Sequence, residues 1–487
     1  MNRSQQNITL ESSGGGVQVQ TAQPPLENTT PEGPRGGSFQ RISFMALWLF
    51  TLLLYARPND LFPNEIGFAP LEKIVAIIAV VAFVIGALTD ARRPRWPVEL
   101  KMVLLITAIA VILMPFAESP SRSFEFLGDS WLKVVCIFFL LVNLLDSRKR
   151  LRMIMALVVT CGTVLAVDAM RSYAIGDLRL QGANGARIIG AVGGMFFDPN
   201  DLATTFNMLL PMAIALGLTG RGLRRYLWLG AAVALAGAVV VTFSRGGFLA
   251  LMASIAFQWW KLVKRTPILG IVVLAVLLGV GSDIFPQSYV ARLGSMFIPL
   301  DEADSSRQER TALLEHAVDV AFSPRHALVG VGLANYKIFS LRDKGAHNAY
   351  LEISAELGIV GLMAYLAMLL APFGALRRIE RETARDDLRE ELRGEPSSPW
   401  DDHVREMHYL SVGLQSSILA YMVCSFFLSI EYNWYVYYPI ALAAGLKYLH
   451  TTERGSATVS TSARSPRTWS AARGSHIRDS AYVQFNS

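Results

Sequence analysis

Long apolar runs recur along this sequence, and they restrict its possible folds more than any other feature does. Runs of about 15 to 20 apolar residues can cross a bilayer as helices, which satisfy their own backbone polar groups. Only 17% of the residues are charged, whereas soluble domains carry about 25%. We therefore predict an all-α polytopic integral membrane protein with about twelve transmembrane helices. The predicted spans are 42–56, 71–89, 98–116, 131–145, 151–170, 201–219, 226–243, 246–263, 267–282, 350–372, 408–429 and 433–449.

The positive charges predict how these spans are oriented. Membrane proteins retain an excess of Lys and Arg in their short cytoplasmic loops. The basic loops "DARRPRW", "DSRKRLR" and "GRGLRR" all fall on one side of the predicted bundle, which we expect to be cytoplasmic. The opposite side has short loops and two longer segments, at about 171–200 and 283–349. Long exported segments follow the charge rule only weakly, so their arginines are compatible with this orientation.

The domain organisation follows from these spans. We predict a disordered cytoplasmic tail at 1–41, followed by about nine N-terminal transmembrane helices within 42–282 and one larger exported loop at 283–349. About three C-terminal transmembrane helices follow within 350–450, with a charged cytoplasmic loop at 373–407 between them. A second disordered cytoplasmic tail is predicted at 451–487. Both tails are polar and lack apolar periodicity. Within the charged loop, 377–393 predicts an amphipathic helix, for which a solvated linker is favoured over a partner site.

Polar residues cluster at the exported ends of the spans, first in "GARIIGAVGGMFFDPNDLA" at 185–203. Arg187 stands alone among small and apolar residues, where a guanidinium needs an anionic partner. Asp198 or Asn200 is a candidate cap for the helix that follows. For these two residues, capping and a direct role in binding carry equal weight.

Two further clusters carry arginines. Arg245, in "TFSRGGFLAL", lies in a tight turn between two apolar runs, as either an interfacial anchor or an anion ligand. The segment 305–322 has helical periodicity and predicts a soluble or interfacial helix within the large loop. Arg307 and Arg310 lie on one side of its first turn, either in a surface charge pair with glutamates or as ligands.

The fourth cluster is "AHNAYLEISAELGIVG", at the start of the predicted span 350–372. His347 lies at or just before the helix start, and Asn348 is a possible cap. A helix N-terminus disfavours the charged imidazole, which suits a neutral general base. Glu352 and Glu356 lie on one helix face. Taken alone, an ordinary interfacial histidine is the simpler interpretation.

Considered together, the clusters indicate a chemistry. Several arginines and one histidine share a membrane face, and no zinc-site or EF-hand motif accompanies them in the sequence. Guanidinium groups bind phosphates bidentately, so we expect a phosphate-bearing substrate and no cofactor or metal. The net charge of +6 is distributed over membrane loops, and we expect no nucleic-acid partner.

Three of these motifs resemble the O-antigen ligase and polymerase superfamily of bacterial membrane proteins: "TFSRGGFLAL", "ALVGVGLANY" and "HNAYLEISAELGIVG". The most specific element is His-Asn followed, after nine residues, by Gly358 and Gly361. "RIIGAVGGMFFDPNDLA" is similar to the family's Arg-x-x-Gly and Pro-Asn pair. "HAL" at 326–328 departs from the usual Pro-Leu-Leu, so it stays open whether Arg307 or Arg310 matches the family's arginine; spacing favours Arg310.

The resemblance implies a metal-independent glycosyltransferase of the bacterial inner membrane, with its active site facing the periplasm. The donor would be a glycan on undecaprenyl pyrophosphate, and the acceptor a glycan, the lipid A core or a protein, all within or beside membrane lipid. His347 would be the general base. The other implied roles are pyrophosphate binding by Arg187, Arg245 and Arg310, orientation of the base or sugar by Asn348 and Glu352, and further substrate contacts by Arg307 and Asn200.

Two alternatives stay open at this level. The ligase and the polymerase share these motifs, so the sequence does not choose between them. A membrane transporter of an anion or a lipid-linked sugar is the competing class, and it would place charged groups near the bilayer midplane. The polar residues here fall at predicted helix ends and in exported loops, which favours the enzyme.

Overall fold

The computed structural model describes residues 37–57, 69–90, 93–177, 188, 190, 198–262, 294, 305–340, 344–393 and 399–464. These ranges are helical and carry no strand. Their fourteen α-helices are α1 (Ser38–Ala56), α2 (Ala69–Thr89), α3 (Val98–Leu113), α4 (Pro120–Phe126), α5 (Leu132–Leu144), α6 (Arg148–Ala174), α7 (Pro199–Thr219), α8 (Leu223–Val241), α9 (Arg245–Leu262), α10 (Ser305–Ala321), α11 (Tyr336–Phe339), α12 (Ala349–Arg393), α13 (Pro399–Cys424) and α14 (Tyr437–Arg464).

Several of these helices can cross a membrane. Within the described ranges, eight are long and apolar enough: Ser38–Ala56, Leu71–Thr89, Val98–Phe116, Pro120–Leu144, Arg148–Ala174, Pro199–Thr219, Leu223–Val241 and Ala349–Arg385. Three other predicted spans, 246–263, 408–429 and 433–449, overlap helices α9, α13 and α14, which are not among those eight. The predicted span 267–282 lies outside the described residues. The described part of the chain is thus all-helical and has the composition of a polytopic membrane protein, and the total of twelve spans stays a prediction.

Helix α7 lies at the centre of the bundle, although it is not the most apolar span. It is 89% buried with a mean hydropathy of 1.5, whereas Leu71–Thr89 has a mean hydropathy of 2.5 and is 28% buried. Lipid tails are as apolar as leucine, so close packing and hydrogen bonds select the central helix. Asn207 of α7 donates a 2.8 Å hydrogen bond to the carbonyl of Gly247 on α9, and the Ser417 hydroxyl of α13 donates one of 2.7 Å to Met208.

The bundle has two chemically different ends. Helices α9 and α12 reach the same end of the bundle, where the Lys261 ammonium near the end of α9 contacts the Glu380 carboxylate of α12 at 2.9 Å. Their starts, at Arg245 and after His347, therefore lie at the opposite end. Arg148 and Glu453 pair at 3.0 Å among the basic segments. Described residues of the basic segments thus lie at one end and the candidate site at the other, and the assignment of the basic end to the cytoplasm stays a prediction.

The structure differs from the predicted boundaries at two charged segments. Residues 377–393 are helical, but they continue α12 and do not form a separate surface helix. Helix α14 ends at Arg464, which extends it into the tail that the sequence analysis placed from 451 onward. Ion pairs stabilise the first turn beyond residue 450, since Glu453 contacts Arg148 at 3.0 Å and Arg454 contacts Glu382 at 3.2 Å. Residues 465–487 and 1–36 lie outside the described ranges.

Candidate functional site

His347 lies in a short loop that precedes α12, and backbone hydrogen bonds fix its position. Its φ of 52° is in the left-handed region, which non-glycine residues seldom adopt. Its N–H donates to the Ser429 hydroxyl oxygen at 3.0 Å. The preceding N–H, of Ala346, donates to Glu352 Oε2 at 2.9 Å, and the Ser429 hydroxyl donates to the same carboxylate oxygen. One buried glutamate therefore holds both the His347 loop and the serine that supports it.

Asn348 caps helix α12. Its side-chain Oδ1 accepts hydrogen bonds from the N–H groups of Tyr350 and Leu351, both at 3.0 Å. These are N–H groups that a helix start would leave without partners. The sequence identified Asn348 as a possible cap, and this geometry places it as one. Its engaged Oδ1 favours a role in orienting His347 over a direct substrate contact.

The His347 imidazole is held neutral. Burial lowers its pKa to about 4, with the positive charges of Arg310 and Lys344 acting in the same direction and Asp198 and Glu309 opposing them. The helix N-terminus was the expected cause of a neutral imidazole, whereas burial and cationic neighbours are the causes here. Arg310 lies on α10 and Asp198 caps α7, so their effects on the pKa of His347 show that both helices lie near the His347 loop.

Arg245 begins α9, and its turn is tied to the start of α7. Asn200 Oδ1 accepts a 2.8 Å hydrogen bond from the Ser244 hydroxyl, whose oxygen accepts one of 3.1 Å from the N–H of Gly247. Asn200 is buried and supports the Arg245 turn through this contact, and its predicted contact with substrate stays a prediction. The helix cap is Asp198, whose carboxylate accepts from the N–H groups of Asn200 and Asp201.

The Arg245 turn also packs on the loop that supports His347. A Cβ on Gly246 would lie 2.9 Å from the Phe427 ring, so a larger residue here would displace that ring. Phe427 is two residues before Ser429 in the loop after α13. The sequence analysis extended the span 408–429 through this loop, but α13 ends at Cys424. Arg245 and His347 are thereby anchored to the same short segment.

Two predicted arginines cannot be placed. Arg187 lies outside the described residues, and so does the side chain of Arg307. Arg310 is described and half-buried on α10, and its charge acts on His347. The preference for Arg310 over Arg307 that the spacing gave, and the role of Arg307, stay predictions.

The glycine motifs have a structural explanation. Helix α12 is kinked at Gly358, where φ is 67°, and the Gly-Val-Gly segment docks at this kink. The N–H groups of Val331 and Gly332 donate to the carbonyls of Ala355 and Glu356 at 2.8 and 2.9 Å. A Cβ on Gly358 would lie 2.1 Å from the Leu328 carbonyl oxygen. The nine residues between Asn348 and Gly358 thus set the distance between His347 and the docked Gly-Val-Gly segment.

An acidic cavity of about 410 Å³ adjoins the His347 loop. Its walls include Glu352, Glu356 and Glu431, with Lys337 and Ser429. Glu356 accepts hydrogen bonds from the N–H groups of Ala334 and Tyr336 at 2.9 and 3.1 Å and from the Tyr432 hydroxyl at 2.8 Å.

Glu431 is the member of this cavity that sequence reasoning missed. It is buried, and its Oε2 has no hydrogen-bond partner among the described residues. Burial, followed by the charges of Glu352 and Glu356, raises its pKa. A glutamate in "SFFLSIEYNW", between two predicted spans, was the available signal.

The comparison with protein families agrees with the motifs. Residues 230–366 match the family model described as O-antigen ligase. This segment, a minority of the chain, contains Arg245, Arg310, His347 and the Gly358 kink. No curated protein matches the chain. The match indicates a ligase- or polymerase-type glycosyltransferase that acts in polysaccharide biosynthesis.

Proposed function

We propose that the chain belongs to the O-antigen ligase and polymerase superfamily. On this premise, it transfers a glycan from an undecaprenyl-pyrophosphate donor to an acceptor hydroxyl at the periplasmic face of the inner membrane. The observation that carries this proposal is the pairing of a neutral His347 with the charge of Arg310, at the bundle end where α9 begins with Arg245. The His347 imidazole can accept a proton, and the Arg245 and Arg310 guanidinium groups can bind a pyrophosphate.

The proposed transfer is a displacement at the anomeric carbon of the donor sugar. The acceptor oxygen forms the new glycosidic bond while His347 takes its proton. The bond from the anomeric carbon to the pyrophosphate oxygen breaks, and its electron pair leaves with the lipid pyrophosphate. Arg245 and Arg310 stabilise the developing negative charge, for which preorganised cations are effective at a boundary with little water. Arg187 is proposed as a third ligand from the sequence alone.

The same arrangement makes base strength depend on the donor. A pKa of about 4 ensures a neutral imidazole near pH 7, but it also makes that imidazole a weak base. Part of this depression comes from the positive charge of Arg310. A pyrophosphate bound to Arg310 would offset that charge and raise the pKa of His347. The base would then gain strength when the donor is in place.

Three residues act by positioning. Glu352 receives hydrogen bonds from the Ala346 N–H and from the Ser429 hydroxyl, and so fixes the His347 loop. Asn348 fixes the helix start directly after it. Asn200 holds Ser244, and hence the Arg245 turn, through its 2.8 Å hydrogen bond.

The acidic cavity is the proposed place for the acceptor sugar. Its volume of about 410 Å³ falls within the size range of small-molecule sites. Carboxylate oxygens accept hydrogen bonds from sugar hydroxyls. Glu431 Oε2, which has no hydrogen-bond partner among the described residues, is proposed to accept such a bond. Ser429 lines the cavity and contacts the N–H of His347, which links the cavity to the base.

Purified protein in lipid nanodiscs, supplied with a lipid-linked glycan and its acceptor, tests the proposed base. We expect His347→Ala to lose at least about 100-fold in transfer rate, the lower range for a general base. His316→Ala, on α10, is the matched control and should keep its activity. Full activity in a correctly inserted His347→Ala protein would refute the proposal.

The glycans of a deletion strain distinguish the remaining classes. Accumulated single lipid-linked repeats would identify a polymerase, and long chains without their final attachment would identify a ligase. Normal glycans together with altered anion uptake would favour the transporter and would overturn both enzyme assignments.

A further inference from the structure

A second and larger cavity lies at the basic end of the bundle, away from His347. Its volume is about 1290 Å³, and it is bounded by α6, α8, the end of α7 and the start of α13. The proposed glycosyl transfer uses none of its residues. One part of its wall is strongly basic and another part is apolar, so it combines the two surfaces that a membrane lipid presents.

The basic part has an excess of positive charge. It contains the five arginines Arg148, Arg152, Arg221, Arg224 and Arg405. Three carboxylates oppose them: Asp402 is shared by Arg221 and Arg405, Glu406 pairs with Arg152, and Glu453 pairs with Arg148. Five guanidiniums against three carboxylates leave two positive charges. Arg224 has no ion pair with any side chain that the structure describes.

The cavity as a whole extends through most of the membrane thickness, and its apolar part on α6, from Ala156 to Val167, accounts for roughly 16 Å of this length. Along α6 the cavity reaches from Arg148 to Val167, a rise of roughly 28 Å at 1.5 Å per residue. The hydrocarbon core of a bilayer is about 30 Å thick. Val164 and Leu227 line this part and are 64% and 61% exposed. Their exposure leaves apolar surface on both α6 and α8 within the groove.

We infer that this groove binds an anionic glycerophospholipid of the leaflet on the arginine-rich side. Its phosphate lies among the arginines, where guanidinium groups match phosphate oxygens, and an acyl chain lies along Val164 and Leu227. A zwitterionic headgroup carries no net charge to balance the two excess positive charges. The polyprenyl donor is disfavoured, because the arginines proposed to hold its pyrophosphate, Arg245 and Arg310, belong to the opposite end of the bundle.

Native mass spectrometry of the purified, delipidated full-length chain tests this inference with added phosphatidylglycerol or phosphatidylcholine. Removal of one arginine near a membrane surface is expected to weaken anionic-lipid binding about five-fold, so Arg221→Gln with Arg224→Gln should weaken it roughly 25-fold. The matched control is Arg41→Gln with Arg385→Gln, which removes the same charge from exposed positions outside the groove and should change binding less than two-fold, roughly.

A second variant separates packing from charge. Val164→Trp fills the apolar wall without altering any charge, and it should also reduce phosphatidylglycerol retention. The inference is overturned if phosphatidylcholine binds equally well, if the control pair weakens binding as much as the groove pair, or if Val164→Trp has no effect. Displacement by millimolar inorganic phosphate would identify a free-phosphate site, and tighter binding of a polyprenyl phosphate would identify a carrier site; either result overturns it too.

Discussion

Arg310→Gln is the sharpest test of how the site works, because it changes the charge that acts on the proposed base. The pKa of His347 is about 4, compared with an ordinary value of 6.5. This difference disfavours protonation by about 3 kcal/mol. Burial is the largest cause and Arg310 the next. Removal of Arg310 should therefore raise the pKa above 4, and burial should keep it below 6.5.

The sign of the pH effect follows directly. A base must be neutral, so activity falls as the pH drops through its pKa. We expect the acid limb of kcat/KM near pH 4 in the wild type and at a higher pH in Arg310→Gln. Arg310→Lys keeps the charge and should keep the limb near pH 4. Arg310→Gln should also lose roughly 100- to 1000-fold in rate at pH 7, because a transition-state cation is gone.

The assay is the pH dependence of transfer by protein in lipid nanodiscs, with the melting temperature recorded at each pH to exclude unfolding. The value of kcat/KM reports the pKa of the free enzyme, which is the state described here. An acid limb that stays near pH 4 in a folded Arg310→Gln protein would show that Arg310 does not act on His347. An unchanged rate would remove Arg310 from the proposed pyrophosphate site.

Three further substitutions test the supports of the site. Gly358→Ala should lower stability by about 2 to 4 kcal/mol, because its φ is 67° and a Cβ would lie 2.1 Å from the Leu328 carbonyl oxygen. The control is Gly374→Ala, where an added Cβ would meet no described neighbour within 4 Å. Equal melting temperatures of the two variants would contradict the docking of the Gly-Val-Gly segment at the kink. Glu352→Ala should lose about 1 to 3 kcal/mol of stability and most of kcat, because the Ala346 N–H and the Ser429 hydroxyl lose their acceptor. Glu352→Gln keeps one oxygen and should recover part of the stability and part of kcat. Full activity of the alanine variant would count against the positioning role. Ser244→Ala should raise the KM for the lipid-linked donor more than it lowers kcat, because the Arg245 turn loses its hydrogen bonds to Asn200 and Gly247. A change in kcat alone would argue against a binding role for Arg245.

Some of the candidate site could be predicted from residue order, because its signals are local. A cap such as Asn348 bonds to N–H groups two and three residues ahead, so the sequence suffices to suggest it. The family motifs likewise marked Arg245, Arg310 and His347. The hydrogen-bond partners of Asn200 and Glu352 could not be predicted in this way. Their partners, Ser244 and Ser429, lie 44 and 77 residues away, and only packing brings them together.

The sequence by itself determined the helical membrane architecture and the separation of charge between the two ends of the bundle. Both follow from the requirements of the bilayer, which excludes open backbone groups and sorts positive charge, and such requirements act on each segment separately. Tertiary structure decided which helix lies at the centre and why the His347 imidazole is neutral. Burial is a property of the packed chain, and the charge of Arg310 reaches His347 only after α10 packs beside the start of α12. It also created the lipid groove, because Arg148, Arg221 and Arg405 are far apart in sequence and meet only when α6, α8 and α13 assemble.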